Sequence, residues 1–451
     1  MKPRPALGVA ALAPALAAML VGPATAYADP GPGFPPPPPV DMRRLPADSR
    51  PGALPGLRRV RGCAAPSEAA DGDLTGLTWG TRSMKLSRLR TITKGAGVRI
   101  AVIDSGVAEH PLLTGRLVGG GDYVAGGSGL SDCEGHGTAV AGIAAAAYDS
   151  GSGFAGLAPR AQVISIRQTS ASYRTTGANG VETPTGDVDT LARAIVHAVA
   201  LGAGVINISE TSCVPVAEAA ARGAGVQAAV HYAAQHNVVV VVAAGNRGNG
   251  GCPAQSGNSV VVLPAWYDED VLAVASVAPD GTASQFGIRA PWVDVAAPGE
   301  QVVSLSPNGS GLTDKIVSVS GQSDPLQGSS FAAPAVAGLA ALIRARYPEL
   351  SARHVMDRIT ATATRAEDAG RSDAVGWGTI DPVAALTRTP AVLDPPSRPD
   401  TGVLAGAGVI PLSHEDPRRT TGPAALWGGA LGLGAAAAAG ALGVLRTRGR
   451  R

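Results

Sequence analysis

Four short segments of the chain hold residues that could act together on an acyl group. Asp104 ends the apolar run VRIAVID and is followed by the turn pair Ser105-Gly106. His136 stands between Gly135 and Gly137 in CEGHGTAVAGIAAAA. Asn246 follows the run NVVVVVAAG, and Ser330 follows Gly328-Ser329 at the head of an Ala-rich stretch containing Pro334. A serine hydroxyl is a poor nucleophile at neutral pH, so an imidazole must take its proton. A carboxylate must then fix the imidazole tautomer and stabilise its cation. A side-chain amide at Asn246 can donate to a tetrahedral oxyanion beside the Ser330 N–H. The chemistry predicted is hydrolysis of an acyl bond, with no metal and no organic cofactor.

Each residue alone has a plainer reading. A strand-ending aspartate caps turns. A serine before a helix is an ordinary N-cap. Asn246 could be a left-handed turn residue, with Asn249 as its local rival. Asn246 is preferred because it directly follows the strand. A lone histidine is more often structural, yet this one opens a small-residue helix and has glycine on both sides, which permits close backbone approach. The set of four carries the argument.

The intervening elements must bring these residues together. Residues 98–104, 162–167, 204–209, 237–245, 270–277 and 292–298 are continuous apolar runs and read as buried strands. Residues 187–203 and 217–236 read as helices, the second interrupted at its glycines. Apolar strands alternating with helices predict an α/β fold, a parallel sheet covered on both faces. Asp104 then lies at the carboxyl edge of the sheet, where open α/β sheets bind ligands.

Composition excludes other classes. The 451 residues are 45% hydrophobic and 16% charged, which excludes a wholly disordered chain. Aromatics are only 4%, so the core must be built from Val, Ala, Leu and Ile. A net charge of +2 gives no pull toward nucleic acid.

Both ends predict export. Residues 1–28 combine Lys2 and Arg4, an apolar run and Ala26-Tyr27-Ala28, the pattern of a cleaved signal peptide. Residues 29–40 are a proline tract, expected to be extended and solvent-facing, within an N-terminal extension 29–80. The α/β domain is expected at 81–390 and a Pro-rich linker at 391–422. Residues 423–445 carry no charge and, at ~1.5 Å per residue, form a helix of ~35 Å, enough for a single membrane span. Arg446, Arg448, Arg450 and Arg451 make residues 446–451 a basic cytoplasmic tail and leave the α/β domain outside the cell membrane. The faint sorting-signal pattern at Arg398–Gly402 lacks its leading Leu and is the weaker account of anchoring.

The four cysteines, Cys63, Cys133, Cys213 and Cys252, predict two disulfides with three possible connectivities. With no CxxC present, a metal or redox motif is poorly supported.

At this point the chain resembles the subtilisin-like serine proteases, through VIDSGV around Asp104, GHGTAVAG around His136, AAGNRG around Asn246 and GSSFAAPAVAG around Ser330. The resemblance covers about residues 81–390. It implies a three-layer fold with a parallel sheet of about seven strands between helices. Ala139 stands where many relatives have a second His, and Ser329 where many have Thr; neither removes a triad role. The S1-lining Ser-Leu-Gly-Gly run of many subtilisins is replaced by Ser209-Glu210-Thr211-Ser212-Cys213. Glu210 is read as a solvated rim charge ahead of a contact for a basic substrate residue.

The whole layout resembles the mycosins, membrane-anchored proteases of type VII secretion systems. That resemblance implies an extension that wraps the catalytic domain, disulfides Cys63–Cys133 and Cys213–Cys252, a protein or peptide substrate, and type VII membrane components as partners. Two roles follow: an endopeptidase, or a structural subunit of the secretion complex whose proteolysis is secondary.

Overall fold

The computed structural model describes residues 33–63, 79–176, 182–249, 251–254, 258–317, 323–365 and 370–388. The expected signal peptide, the linker and the stretch 423–445 lie outside these residues. Among the described residues no helix is long and apolar enough to cross a membrane.

In chain order the elements are β1 (Leu57–Arg59), α1 (Trp79–Ser83), α2 (Leu86–Ile92), β2 (Arg99–Asp104), β3 (Leu117–Asp122), α3 (His136–Ala145), β4 (Gln162–Arg167), β5 (Ser170–Thr176), β6 (Glu182–Thr185), α4 (Val188–Ala200), β7 (Val205–Ile208), β8 (Ser212–Pro215), α5 (Val216–Gln235), β9 (Val239–Ala243), β10 (Val260–Leu263), β11 (Leu272–Val277), β12 (Val295–Pro298), α6 (Ser329–Arg346), α7 (Ala352–Thr362) and α8 (Pro382–Thr387), with short further strands between β12 and α6. Seven strands form one sheet in the order β12-β11-β9-β7-β2-β4-β3, and every pairing is parallel.

The apolar runs form this sheet because both faces are covered. Every residue of β7, β9, β11 and β12 is buried. Alternation along β2 divides the core. Ile100 and Val102 pack with α3 and α6, and Ala101 and Ile103 pack with α4 and α5. That is the period-2 geometry of a strand between two helical layers. Helix α6 is buried continuously from Ser329 to Ile343. Its Ala and Gly residues let the sheet and α3 approach closely.

Three expectations need correction. The edge strand β3 has the sequence LVGGGD, and its glycines hid it from the apolar pattern. Helix α5 is continuous through its glycines; Gly223 serves close packing, since a methyl group there would lie 2.1 Å from the Tyr267 hydroxyl. The described part of the proline tract is extended but docked. Pro35 O accepts from Trp266 Nε1 at 2.9 Å, Pro38 O from Gln227 Nε2 at 2.6 Å, and Phe34 meets Trp292 edge-on. Proline carbonyls have no N–H partner of their own, so buried tryptophan and glutamine donors find them.

Farther along the extension, Leu54 N bonds Val124 O and Asp48 accepts from His197. Strand β1 then joins β5 and β6 in a second, antiparallel sheet with β5 in the middle.

Candidate active site

Asp104 is the last residue of β2 and is wholly buried. Its Oδ1 accepts from the Ser105 backbone N–H at 2.7 Å, from Ser105 Oγ at 3.2 Å and from His136 Nδ1 at 2.7 Å. Its Oδ2 is buried without a partner among the described residues.

His136 is the first residue of α3, behind Gly135 in the left-handed region at φ 78°. A methyl group on Gly137 would lie 2.0 Å from Gly106 O and 3.1 Å from Asp104 Oδ1, so only glycine lets α3 start this close to β2. The loop before α3 is built around Asp132. Its Oδ1 accepts from Ser105 Oγ, Glu134 N and Gly135 N, and its Oδ2 from Thr138 N and Thr138 Oγ1. Glu134 then ties the loop to β5, with Oε1 accepting from Ser170 Oγ at 2.7 Å and Ser172 N at 2.9 Å.

Ser330 is the second residue of α6, so its N–H is among the first four of the helix and has no partner within it. Gly328 precedes the helix at φ 146°, a conformation other residues rarely adopt. Ser329 N donates to Asn246 Oδ1 at 3.0 Å, and Gly245 N donates to Ser329 Oγ at 3.2 Å. Because Asn246 Oδ1 is engaged this way, its amide nitrogen turns to the other side. A methyl group on Gly328 would lie 3.1 Å from both Asn246 Nδ2 and Ser330 Oγ. The amide donor and the hydroxyl thus converge on one space. Asn249 instead serves the turn, bonding Asn246 and Cys252 through its backbone.

Pro334 shapes the same turn. Having no N–H, it cannot bond the carbonyl four residues back, which is that of Ser330. Ser209, just past β7, donates its hydroxyl there at 2.8 Å and accepts from Asn207 Nδ2 at 2.9 Å. The rings of His136 and Phe331 meet with centroids 5.0 Å apart. No hydrogen bond joins Ser330 Oγ to His136 among the described residues; such bonds are often long in proteases without substrate.

Glu210, expected as a solvated rim charge, is partly exposed and also faces the His136 ring. Its Oε1 lies 3.7 Å from His136 Nδ1 with the side chain 38% exposed. Burial works to lower the His136 pKa, but the charge and hydrogen bond of Asp104, then Glu210 and Asp132, outweigh it and hold it raised. Burial, then the charge of Asp104, pushes the Glu210 carboxyl up, against the pull of His136. Asp104, His136 and Glu210 bring ligand-type atoms within 4.8 Å of one another. Within that group a hydrogen bond joins Asp104 to His136.

The cysteines pair as the resemblance implied, Cys63 with Cys133 and Cys213 with Cys252. The first fastens the extension three residues before His136, and the Arg59 guanidinium donates to Cys63 Sγ at 3.1 Å. The second joins β8 to the loop after β9.

Sequence reasoning missed Ser209 and Asp132 as positioning residues. Pro334 was the available signal for Ser209, since it leaves a carbonyl open four residues earlier. Asp132 could have been suspected from its place four residues before His136. It did not foresee Glu210 against the ring, because the contact depends on β7 lying beside β2.

Residues 95–378 match the model of the subtilase family. Mycosin-4 of Mycobacterium tuberculosis is 45% identical over 397 residues, covering 85% of this chain and 84% of its own. The structure of the MycP3 protease from the type VII (ESX-3) secretion system has a TM-score of 0.70 at 37% identity, covering 78% of this chain and 100% of that one. A chain in the structure of the periplasmic assembly from the ESX-5 inner membrane complex has a TM-score of 0.72 at 36% identity, covering 84% of this chain and 99% of its own. With its parallel seven-stranded sheet and with Asp104, His136 and Ser330 each set beside a nearby glycine at the carboxyl edge, the chain belongs to the subtilase family of serine proteases, on its mycosin branch.

Proposed function

We propose that this protein is a membrane-anchored endopeptidase whose catalytic domain works outside the cytoplasmic membrane on proteins handled by a type VII secretion system. The observation that carries the proposal is the 2.7 Å contact of His136 Nδ1 with Asp104, together with Ser330 and Asn246 facing one space beside Gly328. With Nδ1–H donated to Asp104, Nε2 keeps its lone pair and is the base. Ser330 Oγ attacks the peptide carbonyl as His136 takes its proton. Asn246 Nδ2 and the Ser330 N–H hold the oxyanion. The imidazolium, steadied by Asp104, then protonates the leaving amine. Water, deprotonated by the same ring, hydrolyses the acyl-enzyme.

The membrane assignment rests on residues 1–28 as signal peptide and 423–445 as a span, with 391–422 as linker and 446–451 as tail. The likeness to a chain of the ESX-5 periplasmic assembly supports the outward-facing domain. The test is incubation of the full-length protein with a peptide library beside its Ser330→Ala variant. Cleavage by the native chain alone supports the assignment, and equal product from both overturns it.

A second role, as a structural subunit of the secretion complex, is favoured by the same likeness. Secretion that survives Ser330→Ala but fails on deletion of the chain would make that role dominant.

A further inference from the structure

We infer that Glu210 is a specificity-determining residue that receives a positively charged substrate side chain, a lysine or arginine, running past His136. The inference rests on the endopeptidase reading, since it assigns a subsite of that cleft.

Glu210 directly follows Ser209, whose hydroxyl holds the carbonyl of the nucleophile's own residue. Its carboxylate stands beside the His136 ring, at the mouth of the proposed cleft. It is 38% exposed, open enough to be met by a ligand, while its Oε1 is 3.7 Å from the His136 ring. Among the described residues no lysine or arginine forms an ion pair with it, and the imidazole it faces is already committed to Asp104 at 2.7 Å. The wholly buried Asp104 adds an oxygen, Oδ2, with no donor among the described residues. Asp132 and Glu134 add further negative charge from the loop before α3.

A carboxylate in such company is held at a cost that an arriving cation removes. Charge-assisted hydrogen bonds in partly shielded sites are the strong ones. An ammonium or guanidinium group fits this demand; a carboxylate side chain on the substrate would be repelled. An alternative, that Glu210 acts only by tuning the base, makes no distinction between charged and neutral peptides.

The test is a binding measurement, so it does not depend on turnover. The full-length Ser330→Ala protein is titrated with fluorescent octapeptides in which one lysine is walked along an otherwise neutral frame. At least one lysine position should bind about tenfold tighter than the neutral peptide at low salt, the weight of one charge-assisted contact. That ratio should fall toward one in Ser330→Ala/Glu210→Gln and reverse in favour of a glutamate-bearing peptide in Ser330→Ala/Glu210→Lys. A ratio unchanged by Glu210→Gln overturns the inference, as does equal or undetectable binding of every peptide. Failure of the native chain to cleave any peptide, with the binding ratio intact, would instead count against the endopeptidase reading.

Discussion

The hydroxyl of Ser209 donates to the carbonyl of Ser330 across 2.8 Å, filling the place that Pro334 leaves open. The segment just past β7 thus holds the Ser330 peptide directly. Removing the hydroxyl in Ser209→Ala strands a buried carbonyl, which costs about 1–3 kcal/mol. Thermal unfolding should register that loss. Restoring the N–H with Pro334→Ala should stabilise the Ser209→Ala protein more than it stabilises the native one. Additive effects in that double-mutant cycle would refute the link.

Asn246→Ala removes one proposed oxyanion donor. The kcat should fall about 10²–10³-fold with KM little changed, a magnitude carried over from another subtilisin. Ser329 N also loses its acceptor, so a melting curve must accompany the kinetics. A fall in kcat of less than about threefold would remove Asn246 from the oxyanion hole.

The charge on Glu210 also bears on pH. A negative group near His136 stabilises the imidazolium, so its removal lowers the histidine's pKa. The neutral ring then persists to lower pH. For Glu210→Gln, the acidic limb of kcat/KM on a neutral peptide should therefore move to lower pH. Asp104 from β2 and Asp132 from the loop before α3 still face the ring, so the movement will be partial. A limb that stays fixed or moves to higher pH contradicts the 3.7 Å contact.

Gly137→Ala places a methyl group 2.0 Å from Gly106 O. Helix α3 must back away from β2, carrying His136 from Asp104. Hydrolysis should fall below detection while far-ultraviolet circular dichroism keeps its helical signal. Near-native turnover would show that the approach is less tight than described.

The Cys63–Cys133 bridge spans 70 residues. In the chain-entropy account, closing such a loop contributes about 4 kcal/mol. Cys63→Ser/Cys133→Ser should lower the melting temperature and expose the extension to limited proteolysis before the rest of the chain. An unchanged proteolysis pattern would mean that β1 and the docked proline tract suffice.

Much of this was legible in the residues. Asp104, His136, Asn246 and Ser330 each stand beside glycines or strand ends, where backbone demands are severe enough to leave a local mark. Six of the seven sheet strands announced themselves as apolar runs, because a parallel strand covered on both faces cannot alternate. Strand β3 did not, since Gly119, Gly120 and Gly121 carry no side chains to bury. Ser209 and Glu210 were present in the sequence but silent about their roles, because a contact over 121 or 74 positions is made by the packing of helices α6 and α3 against the sheet. The docking of the proline tract was hidden for a similar reason. Its partners, Trp266 and Gln227, are remote in the chain.

Strand β5 is flanked on one side by β6 and on the other by β1 of the extension. An N-terminal trimming that discarded the extension would bare one row of β5 amides and carbonyls and would uncover Trp266 and Trp292, which Pro35 and Phe34 now cover. Bare strand borders recruit other chains. The leading segment thus doubles as a stopper against self-association, covering both the β5 border and the buried Trp266 and Trp292, and shortening it would be expected to yield clumping before it yields a freer enzyme.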